Sequence, residues 1–275
     1  MRDINMVVGA GLCLLWLLVA LLSVVYMPYD PLAMALDGRL RPPSVDHWMG
    51  TDQYGRDLLS RILAASGVSL MVSALTVLAA FTAGVLIGAI AGYLGGSFDR
   101  LVMVVAESFM AFPSLLLVLL FLSISGPSIA AVILALSIAF TPMVIRVTRS
   151  SVFSLREQQF IEAARLSGSS KSAVLWRHLL PNCVSPLSIL ATSMFANVLL
   201  VESALSFLGL GVPAPQATWG ALLADSRQYL AVAPWLSLYP GVVITLAVVG
   251  VNLLGDGLRD LVDPRLRQLV EGQNA

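Results

Sequence analysis

The chain has 275 residues, 58% hydrophobic and only 12% charged, with a mean hydropathy of +0.88 and no net charge. This excludes a water-soluble globule and places the protein in a bilayer. Cys13 and Cys183 lie far apart, in or beside apolar stretches, so they suggest neither a disulfide framework nor a metal cluster and read as small buried hydrophobes.

Six stretches supply the roughly 20 apolar residues needed to cross about 30 Å of hydrocarbon. The first covers residues 6–26, with no charge between Asp3 and Asp30. Its single Arg is offset by an Asp, it is long for a signal peptide, and no Ala-x-Ala site follows, so it reads as an uncleaved span. Ahead of the second, residues 68–94, Leu58, Leu59 and Ile62 fall on a helical period and predict an amphipathic helix at the outer interface. Asp52, Arg56 and Asp57 on this approach read as scaffold or as contacts for an outer docking partner. His47, beside Asp46 and Asp52, is one imidazole among flexible carboxylates and falls short of a metal-ligand set.

Residues 108–145 hold no charge and are nearly twice as long as one span needs, so the chain must fold back where Ser123-Ile124-Ser125-Gly126-Pro127-Ser128 concentrates turn formers. This predicts spans at residues 101–122 and 129–145, followed by a fifth at 183–207 and a sixth at 235–254. Gly209, Gly211, Pro213 and Pro215 end the fifth and lead to an outer loop whose Trp219 reads as an interface anchor. Glu107 and Glu202 fall inside spans. Ionisable groups at that depth face a bundle interior, an aqueous pathway or a partner, so both are candidate pathway or interface residues.

Lys and Arg counts orient the chain. With the N-terminus inside, eleven lie on the cytoplasmic side and five outside. That places residues 146–182 in the cytoplasm, and within them the stretch from Glu157 to Asn182 is a polar island. Glu162-Ala163-Ala164 is followed three residues later by Gly168, and nine residues further by His178-Leu179-Leu180-Pro181-Asn182. Good helix formers over 158–167 lead to a glycine suited to a helix C-terminus with positive φ. Ser169 or Ser170 is placed to cap a second short helix, which Pro181 is expected to stop.

This spacing resembles the Glu-Ala-Ala loop of binding-protein-dependent ABC importers. Gly50-Thr51-Asp52-Gln53-Tyr54-Gly55-Arg56-Asp57, Leu205-Ser206-Phe207-Leu208-Gly209-Leu210-Gly211 and Gly255-Asp256-Gly257-Leu258-Arg259-Asp260 with Asp263-Pro264-Arg265 extend the likeness over nearly the whole chain. Together they are similar to the shorter permease subunit of dipeptide, oligopeptide and nickel importers. The resemblance implies an all-α, MetI-like permease fold in the inner membrane, with both termini cytoplasmic. Residues 1–67 would form an N-terminal span and outer loop, 68–254 the core permease, and 255–275 a cytoplasmic tail. It further implies that Glu162, Ala163, Ala164, Gly168, His178, Leu180 and Pro181 belong to an ATPase-coupling loop. Partners would be a homologous second permease, two ABC ATPases and a substrate-binding protein, with no nucleic acid. The family more often has Asp where this chain has Glu107, and its peptide and nickel branch commonly has His at the position of His178.

Lys171 is the only lysine, and no glycine-rich phosphate loop is present, so ATP hydrolysis is expected in a separate subunit, with no cofactor or metal on this chain. The alternative from a different class is a secondary transporter using Glu107 and Glu202, although no inverted repeat is visible. An intramembrane enzyme lacks any Ser/His, paired-Asp or His-Glu-x-x-His constellation in the spans. The resemblance leaves the cargo among dipeptides, longer peptides, nickel and metal chelates, and ten methionines do not point to metal.

Overall fold

The structure, a computed structural model, describes residues 2–262. The Asp263-Pro264-Arg265 motif lies outside the described residues, and no strand is formed within them. Five helices are long and apolar enough to cross a membrane: α1 (Arg2–Val25), α2 (Leu58–Leu94), α5 (Ile129–Leu155), α9 (Val184–Phe207) and α11 (Trp235–Val262). Between α2 and α5 lie α3 (Gly96–Met110) and α4 (Ser114–Ser125).

The third span, expected as one straight helix, is therefore a bent pair. Its halves meet at 88° across Ala111-Phe112-Pro113. Pro113 has no N–H to continue the ladder and disfavours helical torsions at Phe112, which is enough to break the rod there. The turn expected over 123–128 is present. Gly126 ends α4 with φ +76°, and Ser128 caps α5 by accepting from the Ala131 N–H at 3.1 Å. α2 starts ten residues before the expected boundary, so positions 67 and 68 both fall inside it, and α5 runs ten residues past Ile145.

α2 packs chiefly along α5. The approach is set by Gly84, Gly88 and Gly92, spaced four apart on one face of α2. A Cβ at Gly88 would lie 2.6 Å from the Ile145 carbonyl oxygen, so the two backbones are nearly touching. Ser137 Oγ, on α5, lies 3.3 Å from the Thr76 carbonyl of α2. α1 lies along α11 and touches α2.

The apolar interior forms two clusters. One joins α2, α4, α5 and α9 around Val72, Leu122, Leu136, Val144 and Met194. It also receives Ile161, Val174, Leu175 and Leu179 from the segment between α5 and α9. The other joins Leu58, Ile62, Leu199, Trp219, Leu222 and Leu236.

Candidate functional site

The segment between α5 and α9 forms the structured loop that the sequence predicts. α6 (Gln159–Leu166) follows Gln158, whose φ and ψ are extended. Its C-terminus is a two-bond turn: Gly168 N–H donates to the Arg165 carbonyl at 3.0 Å, and Ser169 N–H reaches back to the Ala164 carbonyl at 3.1 Å. This Schellman arrangement needs a left-handed residue between them, and Gly168 has φ +83°. Ser170 then caps the next turn, its Oγ accepting from Ala173 N–H at 3.2 Å.

Pro181 does not stop the second helix as expected. α7 (Lys171–Ala173) passes into a π-helical stretch, Val174–Leu179, and on into α8 (Leu180–Asn182). The Leu180 N–H bonds to Leu175 O, five residues back. Widening the helix just before Pro181 accommodates a ring that cannot donate and would crowd the carbonyl four residues earlier. The chain enters α9 after Cys183, a fully buried free thiol.

Burial divides this loop into two faces. Ile161, Val174, Leu175 and Leu179 anchor it to the bundle, and Glu162, Ala163, Gly168 and Pro181 are exposed. Ala164, His178 and Leu180 are half-buried, and the His178 carbonyl accepts from Asn182 Nδ2 at 2.6 Å. Three large apolar side chains missed by the motif reading are exposed here, Phe160 at 42%, Leu166 at 84% and Trp176 at 49%. Leu166 lies one helical period from Glu162 and opposite the buried Ile161, so the amphipathic pattern of α6 contained that signal. An exposed carboxylate, an alanine that permits close approach, and exposed apolar side chains suit a short helix for seating in a partner's groove.

At the other end, residues 50–57 form a tight turn closed by a Thr51–Asp57 bridge, and Leu58, Leu59 and Ile62, expected in a separate amphipathic helix at the outer interface, form the first turns of α2, with Leu58 and Ile62 buried. Asp52 organises it. Oδ1 accepts from the N–H groups of Tyr54 at 2.8 Å and Arg56 at 2.9 Å, and Oδ2 accepts from Arg56 Nε at 2.7 Å and Arg61 Nη1 at 2.6 Å. Asp57 caps α2 through Ser60 N–H at 2.8 Å and bonds His47 Nδ1 at 2.8 Å. Asp52, Arg56 and Asp57 are all buried and bonded within the chain. Trp219, expected as an interface anchor, is fully buried at the start of α10 (Trp219–Ser226). Its backbone N–H donates to Ser69 Oγ at 3.2 Å, its indole N–H donates to the Ile62 carbonyl at 3.3 Å, and its ring meets Trp16 edge-on at 5.5 Å. The loop folds inward because an indole buries more area than any neighbour there and finds a carbonyl for its donor.

The two intramembrane carboxylates part company. Glu202 is fully buried near the end of α9, where its Oε1 accepts from Ser206 Oγ at 2.8 Å. Glu107 is exposed on α3. The structure does not bring them together as a paired ion site. A cavity of about 600 Å³, whose lining includes Ser206, is walled by Leu32, Tyr54, Arg61, Gly211, Pro213 and Asp225.

Residues 84–268 match the family of binding-protein-dependent transport system inner membrane components. A dipeptide transport system permease protein of Alkalihalophilus pseudofirmus is 42% identical over 229 residues, covering 83% of this chain and 75% of that protein. The nickel transport system permease protein of Escherichia coli K12 is 40% identical over 249 residues, 90% of each chain. A chain of the MetNI methionine ABC transporter, solved in inward-facing conformations, superimposes with a TM-score of 0.63 at 17% identity, over 74% of this chain and 96% of that one. The protein belongs to the inner-membrane permeases of binding-protein-dependent importers, as a multi-pass helical subunit with the MetI-like fold. That assignment favours an importer permease over the secondary-transporter alternative.

Proposed function

We propose that this chain is one of two homologous permeases lining a single pathway, and that it docks one ABC ATPase through α6 and the helix after it. The observation that carries this reading is the α6 turn: a Schellman end at Gly168 holds Glu162, Ala163 and Leu166 outward while Ile161 is locked into the core. On this reading the loop is cytoplasmic, the residue 50–57 turn and α10 lie outside, and a binding protein delivers cargo to that outer face. The chain has no ATP site of its own. Closure of the ATPases tilts the bundle between inward- and outward-facing states through the docked helix.

The cargo is a short peptide or a nickel species, the two chemistries named among the relatives. Uptake of radiolabelled dipeptide and of nickel by a strain deleted for this gene separates them. Restored uptake of one by the plasmid-borne chain identifies the cargo, and restoration of neither would count against both.

A further inference from the structure

The cytoplasmic end of α5 is joined to the α2–α3 turn by arginines that neither the motifs nor the comparisons single out. Arg149 donates to both oxygens of Asp99 on α3, Nε to Oδ1 at 2.8 Å and Nη2 to Oδ2 at 2.5 Å. Arg156, two helical turns further along the same face of α5, donates from Nη1 to the Gly92 carbonyl near the end of α2 at 3.0 Å. Phe153 lies between them, with the Arg149 and Arg156 guanidinium carbons 4.9 and 4.0 Å from its ring centroid. From α6, Arg165 lies 5.8 Å from the ring centroid of Tyr93. Asp99 is buried and the Arg149 side chain is 28% exposed, so this fork–fork pair is partly shielded from water.

These contacts share one mechanical consequence. α6 starts three residues after Arg156, and α3, which carries Asp99, runs on past Glu107 and into the 88° bend at Pro113. A bidentate pair resists both translation and rotation between its two helices, which a single hydrogen bond does not. We propose that Asp99 and Arg149, with Arg156 and Phe153 in support, are positioning residues that carry displacement of the docked coupling loop from α5 to the α3–α4 pair. This inference rests on the coupling-loop reading above. It concerns transmission after docking, whereas that reading concerns docking itself.

The test uses the whole transporter, with both permeases, the ATPases and the binding protein, in proteoliposomes. The probe is whichever of radiolabelled dipeptide or nickel the wild type takes up. Asp99→Asn removes the charge, Arg149→Lys keeps a cation without the fork, and Asp99→Glu keeps the pair. The first two variants are expected to insert, to capture the ATPase at wild-type levels and to hydrolyse ATP. Their transport per ATP should fall about tenfold, within the usual range of site-to-site coupling, and Asp99→Glu should recover most of it. Unchanged transport per ATP in either inserted variant would overturn the proposal. So would parallel loss of ATPase capture, because the pair would then be shaping the docking surface. Failure of the docking reading appears separately, as wild-type ATPase capture by Glu162→Lys.

Discussion

Asp52 and Arg61 are joined across the start of α2 at 2.6 Å, with both side chains less than a tenth exposed. The same carboxylate oxygen also holds Arg56 Nε at 2.7 Å, so one acid compensates two buried guanidiniums. Removing it leaves Arg56 without its carboxylate and Arg61 with only the longer 3.5 Å pair to Asp225, and breaking a buried pair from one side typically costs about 3–5 kcal/mol. Asp52→Ala is therefore expected to lower the thermal unfolding midpoint of the detergent-solubilised subunit sharply. An unchanged midpoint together with selective loss of binding-protein capture would return Asp52 to the role of a docking residue.

Trp219 gives a parallel expectation. Its ring is fully buried against Trp16, and both of its N–H groups are engaged. Truncating a large aromatic in such a site costs about 3–5 kcal/mol. Trp219→Ala should destabilise the subunit even without any partner, as read by thermal inactivation in detergent. A variant as stable as wild type would contradict the buried placement of α10.

The α2–α5 contact predicts a sharp difference between two glycines. A Cβ at Gly88 meets the Ile145 backbone at 2.6 Å, whereas one at Gly11 finds nothing within 4 Å. Gly88→Ala should cost about 1–3 kcal/mol through forced separation of the helices, and Gly11→Ala should be neutral or slightly stabilising. Unfolding midpoints of the two variants, measured side by side, check this. Equal behaviour would contradict the close approach.

Hydropathy made the membrane spans legible, because bilayer thickness sets their length and nothing else in the chain competes with that signal. The glycine turns were legible for a similar reason. Gly126 and Gly168 each sit where a helix must end, and both have positive φ. What composition could not convey was the use of proline. Pro113 breaks a span between two apolar halves that read as one rod, and Pro181 sits within a helix that widens to admit it. The residues around the start of α2 were hidden for another reason. Asp52, Arg56 and Trp219 look like surface chemistry in one dimension, and only the folding of the 50–57 turn and α10 onto the start of α2 buries them. Asp99 and Arg149, fifty residues apart, gave no local signal of their pairing.

The topology has its own test. Asp46 and Ser170 are both exposed and belong to opposite sides of the proposed arrangement. On intact cells, an impermeant thiol reagent should label Asp46→Cys and leave Ser170→Cys unmodified until lysis, in a background with Cys13 and Cys183 replaced. Labelling of Ser170→Cys before lysis would invert the orientation drawn from the arginine counts.

The central claim is that α6 and its Gly168 turn couple this permease to an ATPase. Gly168 has φ +83° with open space around its α-carbon, so Gly168→Val is disfavoured by backbone torsion and should reorient the helix that follows. Glu162→Lys reverses the charge on the exposed face without touching the core. The decisive measurement is cargo-stimulated ATP hydrolysis by the reconstituted transporter, with ATPase capture recorded on the same preparations. Both variants should insert and pair with the second permease, yet lose ATPase capture and stimulation. Wild-type capture and stimulation in both would contradict the account and leave Glu162-Ala163-Ala164 as an ordinary loop.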